Sequence, residues 1–285
     1  MSNSFTDRLF SFGIVADPQY AAQEPNITLN RYYRRSLDKL FEAIEVFNKE
    51  DLTFVMTLGD VIDRHSRSFD DILSVYERLR HRSLFILGNH DFLVEPHELD
   101  AIHEKLGMSS RYYSFAHQGI RFIALDGNEV SLFAPPLGHP YRTSAKQRLA
   151  ELTASGAINA HEWNAAMSDT QLAWFLAELE KAENSGERVI IMNHYPVYPS
   201  NEHDAWDRDR ILEALTGKSH VIGYFSGHNH VGNFGTTGNV SFVNFKGMVD
   251  TENDNSFAVV DVHPDKLVVR GFGREDSRTL FCDGR

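Results

Sequence analysis

Short apolar runs recur along the chain, and each ends in a turn signal. They cover residues 10–15, 54–58, 84–87, 121–125, 189–192 and 221–225. Runs of four to six β-branched, Leu or aromatic residues predict buried strands. Helical periods lie between several of them. Tyr33, Leu37, Leu40, Phe41, Ile44 and Phe47 share one face of a helix that keeps Arg31, Arg35 and Lys39 away from it. Ile72, Leu73, Tyr76 and Leu79 mark a shorter helix. Ser168 and Gln171 have the spacing of a capping box before Leu172, Phe175, Leu176 and Leu179. Asp207 is placed to cap a helix through Ile211, Leu212 and Leu215.

From Val240 onward the pattern becomes strand-rich: VSFVNF, SFAVVDV and KLVVRGF, the last two joined as a hairpin across His263, Pro264 and Asp265. Residues 128–167 are different, with poor periodicity and Pro135-Pro136, Gly138 and Pro140. They predict an insertion, and long insertions in compact domains are more often functional than idle. The expectation is one domain over residues 1–285, with an insertion near 128–167 and a tail that adds strands to the same core.

Composition sets limits on function. In 285 residues, 42% are hydrophobic, enough for a large core. Lys plus Arg number 28 against 40 Asp plus Glu, a net charge of −12. An acidic surface disfavours nucleic acid and anionic membranes as partners, while a bound cation can still attract a small anionic substrate. Cys282 stands alone, which excludes an intrachain disulfide and a thiolate zinc site. With no leader pattern and no apolar stretch long enough to span a bilayer, a cytoplasmic location is expected. Nothing in the composition sets an oligomeric state.

The chemistry lies at the ends of the apolar runs. They terminate in Asp17-Pro-Gln19, in Gly59-Asp60-Val-Ile-Asp63, in Gly88-Asn89-His90-Asp91, in Asp126, in Asn193-His194, and in Gly227-His228-Asn-His230. One Asp after a strand is an ordinary turn residue. Acid, amide and imidazole groups after six successive strands form a pattern, and open α/β sheets bind ligands at those ends. The same groups suit divalent ions. Asp17 and Asp60 supply charge, Asp60 can bridge two cations, and Gln19, Asn89, His194, His228 and His230 are neutral donors. Two ions so held would activate water and clamp both ends of an in-line displacement at phosphorus. Of the 14 histidines, only His90, His194, His228 and His230 fall in these motifs; the others are expected to be solvated or capping residues.

This series of motifs resembles the calcineurin-like metallophosphoesterase family. The resemblance implies an α/β fold, the four-layer metallophosphoesterase sandwich of two packed mixed β-sheets flanked by helices. It implies two divalent metals, Mn2+ with Mg2+ or Fe as alternatives. Asp17, Gln19, Asp60 and His230 would hold one; Asp60, Asn89, His194 and His228 the other. His90 would face the substrate, as phosphoryl stabiliser or proton donor, with Asp63 orienting it. The family's first motif is usually Asp-x-His, so Gln19 is a departure. Its amide oxygen is a harder donor than imidazole nitrogen and favours Mn2+ or Mg2+ over zinc.

That departure, with Arg31-Tyr-Tyr-Arg34, with His194-x-Pro-x-Tyr-Pro199 and with Ala205-Trp206, is similar to one subgroup, the manganese-dependent ADP-ribose/CDP-alcohol diphosphatases. Val231-Gly232 after the last motif departs from that subgroup's acidic residue and glycines. The implied reaction is hydrolysis of a small nucleotide substrate, a nucleoside diphosphate linked to a sugar or alcohol, into two monophosphates. A cyclic-nucleotide phosphodiesterase or a general phosphomonoesterase is the alternative on the same dimetal core, and a non-catalytic scaffold is disfavoured by the full ligand set. Tyr20 and Tyr195 follow ligands directly and are expected either to stack on a base or ribose or to pack as wall residues. Arg34, flanking the apolar stripe, is the better candidate for a second phosphate than Arg31 or Arg35.

Overall fold

The computed structural model describes residues 8–282; residues 1–7, on which the expectation about a leader partly rests, lie outside them. The chain runs β1 (Phe10–Val15), α1 (Arg35–Phe47), β2 (Phe54–Leu58), α2 (Arg67–Tyr76), β3 (Arg82–Ile86), α3 (Ile102–Lys105), β4 (Tyr113–His117) and β5 (Ile120–Ala124). It continues through α4 (Pro140–Ser155), α5 (Asp169–Asn184), β6 (Arg188–Met192), α6 (Arg208–Leu215), β7 (Val221–Ser226), β8 (Asn233–Thr237) and β9 (Val240–Asn244). It closes with β10 (Ser256–Val262), β11 (Lys266–Gly273) and β12 (Arg278–Phe281).

Two mixed six-stranded sheets face each other, in the orders β12-β11-β10-β1-β2-β3 and β4-β5-β6-β7-β9-β8. Alternation along each strand fills both faces. Phe10, Phe12 and Ile14 of β1 enter the core between the sheets with Phe122, Ile190 and Phe225. Phe12 stacks on Phe54 at 5.0 Å and meets the edge of Phe122 at 5.4 Å. The outer face of the first sheet is covered by Leu40, Ile44 and Phe47 of α1 and Phe69 and Ile72 of α2. The outer face of the second carries Phe175 and Leu179 of α5 and Ile211 and Leu215 of α6. These are four layers, helix, sheet, sheet, helix. Among the described residues no helix is long and apolar enough to cross a membrane.

Several local expectations shift. Lys39, expected on the polar face of α1, is 2% exposed. Its Nζ donates to the carbonyls of Met248, Asp250 and Thr251, and this satisfaction lets an ammonium sit in the interior. Phe41 is exposed instead of packed into the core. Ser168 caps α5 by accepting from Gln171 N, but the Gln171 side chain turns to Asp126 and Glu129, so the reciprocal half of the box is missing. Asp207 sits at the N-cap of α6 without capping it and accepts from Met167 N at 3.1 Å. The irregular 128–167 stretch contains α4, begun by Pro140 after His139 and ended by a left-handed Gly156. The tail splits between sheets: β9 joins the second, β10 and β11 the first.

Within the sandwich, β1, β2 and β3 are mutually parallel, as are β5, β6, β7 and β9. Parallel neighbours deliver their following loops to one edge of each sheet.

Candidate metal centre

The loops after β1, β2 and β7 are held in unusual backbone. Asp17, Gln19, Asp60 and His228 all have left-handed φ, at 48°, 42°, 50° and 69°. Each such residue costs about 1–3 kcal/mol and persists only when its surroundings impose it. Here Gln19 N donates to Asp60 O at 2.8 Å, Val249 N to Asp17 O at 3.1 Å, and Gly227 N to His194 O at 3.0 Å. Close approach explains two glycines: a Cβ on Gly59 would stand 2.5 Å from His194 Nδ1, and one on Gly227 2.5 Å from Asp17 Oδ2. Asp91 fastens two motif loops together, accepting from Ile62 N at 3.1 Å and Gly88 N at 2.9 Å. Burial and the nearby Asp60 push its carboxyl up to about 7.

The donor atoms converge in two groups that share Asp60. Asp17, Asp60 and His230 form one, Asp60, His194 and His228 the other, with ligand atoms in each group within 4.8 Å of one another. Gln19 lies against the first, its Nε2 donating to Asp60 Oδ2 at 2.8 Å. Its Oε1 is buried without a hydrogen-bond partner. Asn89 lies in the second, with Oδ1 3.1 Å from His194 Nε2.

Hydrogen bonds on the far side of two rings set their tautomers. His194 Nδ1 faces Leu58 O at 2.8 Å, and His230 Nδ1 faces Asp250 Oδ1 at 2.8 Å. Each neutral ring therefore turns a bare Nε2 inward. For His194 that nitrogen lies 3.4 Å from Asp60 Oδ2, and for His230 3.6 Å from Asp17 Oδ1. The unpartnered Gln19 oxygen and these clustered acceptors, with few donors among them, fit divalent cations. Protons are the alternative counter-charge. Burial lowers the His194 pKa, but Asp60 and Asp17 outweigh it and lift the ring to about 9. Burial raises Asp60, yet His194, His90 and His228 hold its carboxyl well below the usual range. Burial keeps Asp17 raised, and burial together with His194 and His203 keeps His228 neutral.

His90 stands beside both groups. Its backbone N donates to Asp60 Oδ1 at 2.8 Å. Its Nδ1 is 3.1 Å from Asp63 Oδ1 and 3.3 Å from Asp63 O, so Nδ1 carries the proton and Nε2 is the remaining functional nitrogen. Asp63 is fully buried, and Oδ2 accepts from Gln23 and Arg64. Burial lowers the His90 pKa, but Asp60 and Asp63 reverse that and leave it raised.

The remaining expected site residues are placed otherwise. Tyr20 is 5% exposed in the core beside α1 and α2, with its hydroxyl on Asp71 at 3.0 Å. Tyr195 is wholly buried; its ring meets His228 at 4.7 Å and its hydroxyl donates to Asn128 at 2.7 Å. Neither presents a face for stacking, so both are wall residues, and Tyr195 backs a ligand. Arg34 is 61% exposed and paired with Glu24. Arg31, expected on a solvated helix face, instead precedes α1 and bridges Asn26 and Asp250, close enough to disfavour protonation of His90 and His203. Asp126 belongs to a separate network with Arg111, Gln171 and Asn128. Sequence reasoning missed Asp250, His203 and Asn164. His203 packs against the His228 ring at 5.3 Å, and Asn164 Oδ1 lies 2.9 Å from His228 Nε2. No motif marks any of the three.

The fold and these strand-end donors define a phosphoesterase, and the chain belongs to the calcineurin-like phosphoesterase family, whose model matches residues 10–232. Its relatives are narrower in type. It is 29% identical to the manganese-dependent ADP-ribose/CDP-alcohol diphosphatase of Homo sapiens, over 96% of this chain and 93% of that one. It is 28% identical to the protein of the same name from Arabidopsis thaliana, over 97% and 98%. Among solved structures, a dimetal phosphatase from Danio rerio superposes with a TM-score of 0.87 at 25% identity, covering 97% of this chain and all of that one.

Proposed function

We propose that this chain is a dimetal hydrolase that cleaves the diphosphate of ADP-ribose, CDP-alcohols or related nucleoside diphosphate-linked compounds into two monophosphates. The observation that carries the reading is the pair of donor groups sharing Asp60, with His90 and Asp63 beside them. The relatives' names supply the substrate class and point to manganese. Asp17, Gln19, Asp60 and His230 would hold one ion, and Asp60, Asn89, His194 and His228 the other. Two such ions supply Lewis acidity at phosphoryl oxygens and activation of water.

The protein's own groups do the rest. Asp63 and the His90 backbone bond hold the imidazole in one orientation. Asp60 and Asp63 raise the His90 pKa, which favours a proton at Nε2. Water oxygen adds to one phosphorus and releases a proton to solvent, the bridging P–O bond breaks, and the departing phosphate oxygen takes the proton from Nε2, which solvent then restores. Tyr195 and Asn128 close the wall behind His228.

The same proposal treats the chain as one domain with residues 128–167 inserted. It places the protein in the cytoplasm, since a lone cysteine is the usage of a reducing compartment. It takes a small nucleotide as the partner and no nucleic acid or membrane, in keeping with the acidic balance. The test is a panel of ADP-ribose, a CDP-alcohol, a cyclic nucleotide and an aryl phosphate, each with Mn2+ and with Mg2+. The diphosphates with Mn2+ should show the highest kcat/KM. A faster cyclic nucleotide or aryl phosphate would overturn the substrate class.

A further inference from the structure

A side chain of the insertion, Asn164, touches a candidate metal ligand directly. Asn164 is fully buried. Its Nδ2 donates to Asn159 O at 3.0 Å and to Glu202 O at 2.7 Å. Backbone carbonyls only accept, so these two bonds fix which end of the amide is nitrogen. The other end, Oδ1, therefore faces His228 Nε2 at 2.9 Å. An amide oxygen also only accepts, so His228 Nε2 must carry a proton. A ligating imidazole is neutral and has one proton to place. His228 is left with a bare Nδ1.

We infer that Asn164 is a positioning residue for the metal centre: it selects the tautomer of His228 in which Nδ1 is the ligand atom and thereby makes the inserted segment part of the second ion's site. The inference rests on the dimetal reading. His228 then differs from His194 and His230, whose Nδ1 atoms are engaged elsewhere and whose Nε2 atoms face inward. It also gives the segment a role in the centre. Asn164 joins it to the 195–204 loop through Glu202 O, and Ala166 pairs with Val130 at the other end of the segment.

The experiment titrates Mn2+ into the chelator-stripped full-length chain by calorimetry, with thermal melts as a check on folding. Wild type should bind two Mn2+. Asn164→Leu removes both the acceptor and the donors, and should keep one ion at wild-type affinity while weakening the other about 10–100-fold. Asn164→Asp keeps an acceptor opposite Nε2 and loses the donors, so it should lie closer to wild type than Leu does. A merely structural role would make Leu and Asp equally damaging, and that result overturns the inference. So does a folded Asn164→Leu chain that binds two ions as tightly as wild type. Wild type binding fewer than two overturns the dimetal reading, and this inference with it. Should the Leu variant not fold, long-range proton–nitrogen spectra of the Zn2+-loaded wild type decide: a proton on His228 Nε2 supports the assignment, and a proton on Nδ1 overturns it.

Discussion

Asp17 and Gln19 occupy the loop after β1, and their partner His230 is braced by the carboxylate of Asp250. Across the shared Asp60, His194 is braced by the carbonyl of Leu58 and His228 by the amide of Asn164. One half is thus backed by charge, the other by neutral dipoles. A carboxylate behind imidazole raises its basicity as a ligand, while a carbonyl or amide mainly orients it. The half that carries Gln19, a neutral oxygen where the family usually has imidazole, is also the half with the carboxylate brace. A weak donor and a strong brace thus stand together in one half-site, and the two halves can be perturbed separately.

The largest effect should come from the residue both halves share. Asp60→Ala should reduce Mn2+ stoichiometry below two and leave no activity above background, by metal analysis and ADP-ribose hydrolysis. Full activity would remove the bridged-pair reading altogether. His90→Ala should leave both halves loaded and lower kcat by about 10²–10⁴-fold; loss of metal with unchanged turnover per bound ion would make His90 a ligand instead.

Asp250→Ala targets the charged brace. It should weaken one Mn2+ about 10–100-fold and spare the other, and equal weakening of both ions would dissolve the distinction between halves. Gln19→His should give a smaller change, a shift of metal preference toward Zn2+ read from competition titrations. An unchanged preference would make the amide a neutral substitute. Of the two readings of Tyr20, base platform or wall residue, its burial fits the wall residue.

The smallest effect concerns the neutral half and pH. Asp207 accepts from Met167 N, near Asn164, and burial pushes its carboxyl up to about 6, partly offset by Arg148. A raised carboxyl is more comfortable protonated in the fold. Its stability contribution is complete below the ordinary value of 3.8 and is lost as pH rises through about 6. Asp207→Asn should therefore raise the unfolding free energy at pH ~7.5 by about 1–3 kcal/mol, read as a higher Tm, and flatten the stability profile between pH ~4 and ~6. An unchanged profile would show that this carboxyl is ionised without cost.

The candidate ligands were legible because each lies within a few residues of the end of an apolar run. Strand periodicity and the chemistry of Asp, Asn and His then coincide within a few residues. The braces were not. Asp250 lies 20 residues from His230 and Asn164 lies 64 from His228, in segments with no pattern linking them to a ligand. Adjacency misled in the opposite direction. Tyr20 and Tyr195 neighbour candidate ligands in sequence but are buried in core layers. Lys39 was misplaced because its three carbonyl partners come from residues 248–251, more than 200 positions away.

By itself, then, the sequence determined the buried strands, the strand-rich tail and the donor types that end each strand, because those depend on local periodicity and on chemistry that few side chains can supply. Only the tertiary structure decided which nitrogen of each histidine turns inward, which aromatic rings are wall and which loop braces which ligand. Those choices are set by single hydrogen bonds between segments distant in the chain, and a hydrogen bond of that kind leaves no periodic trace in sequence.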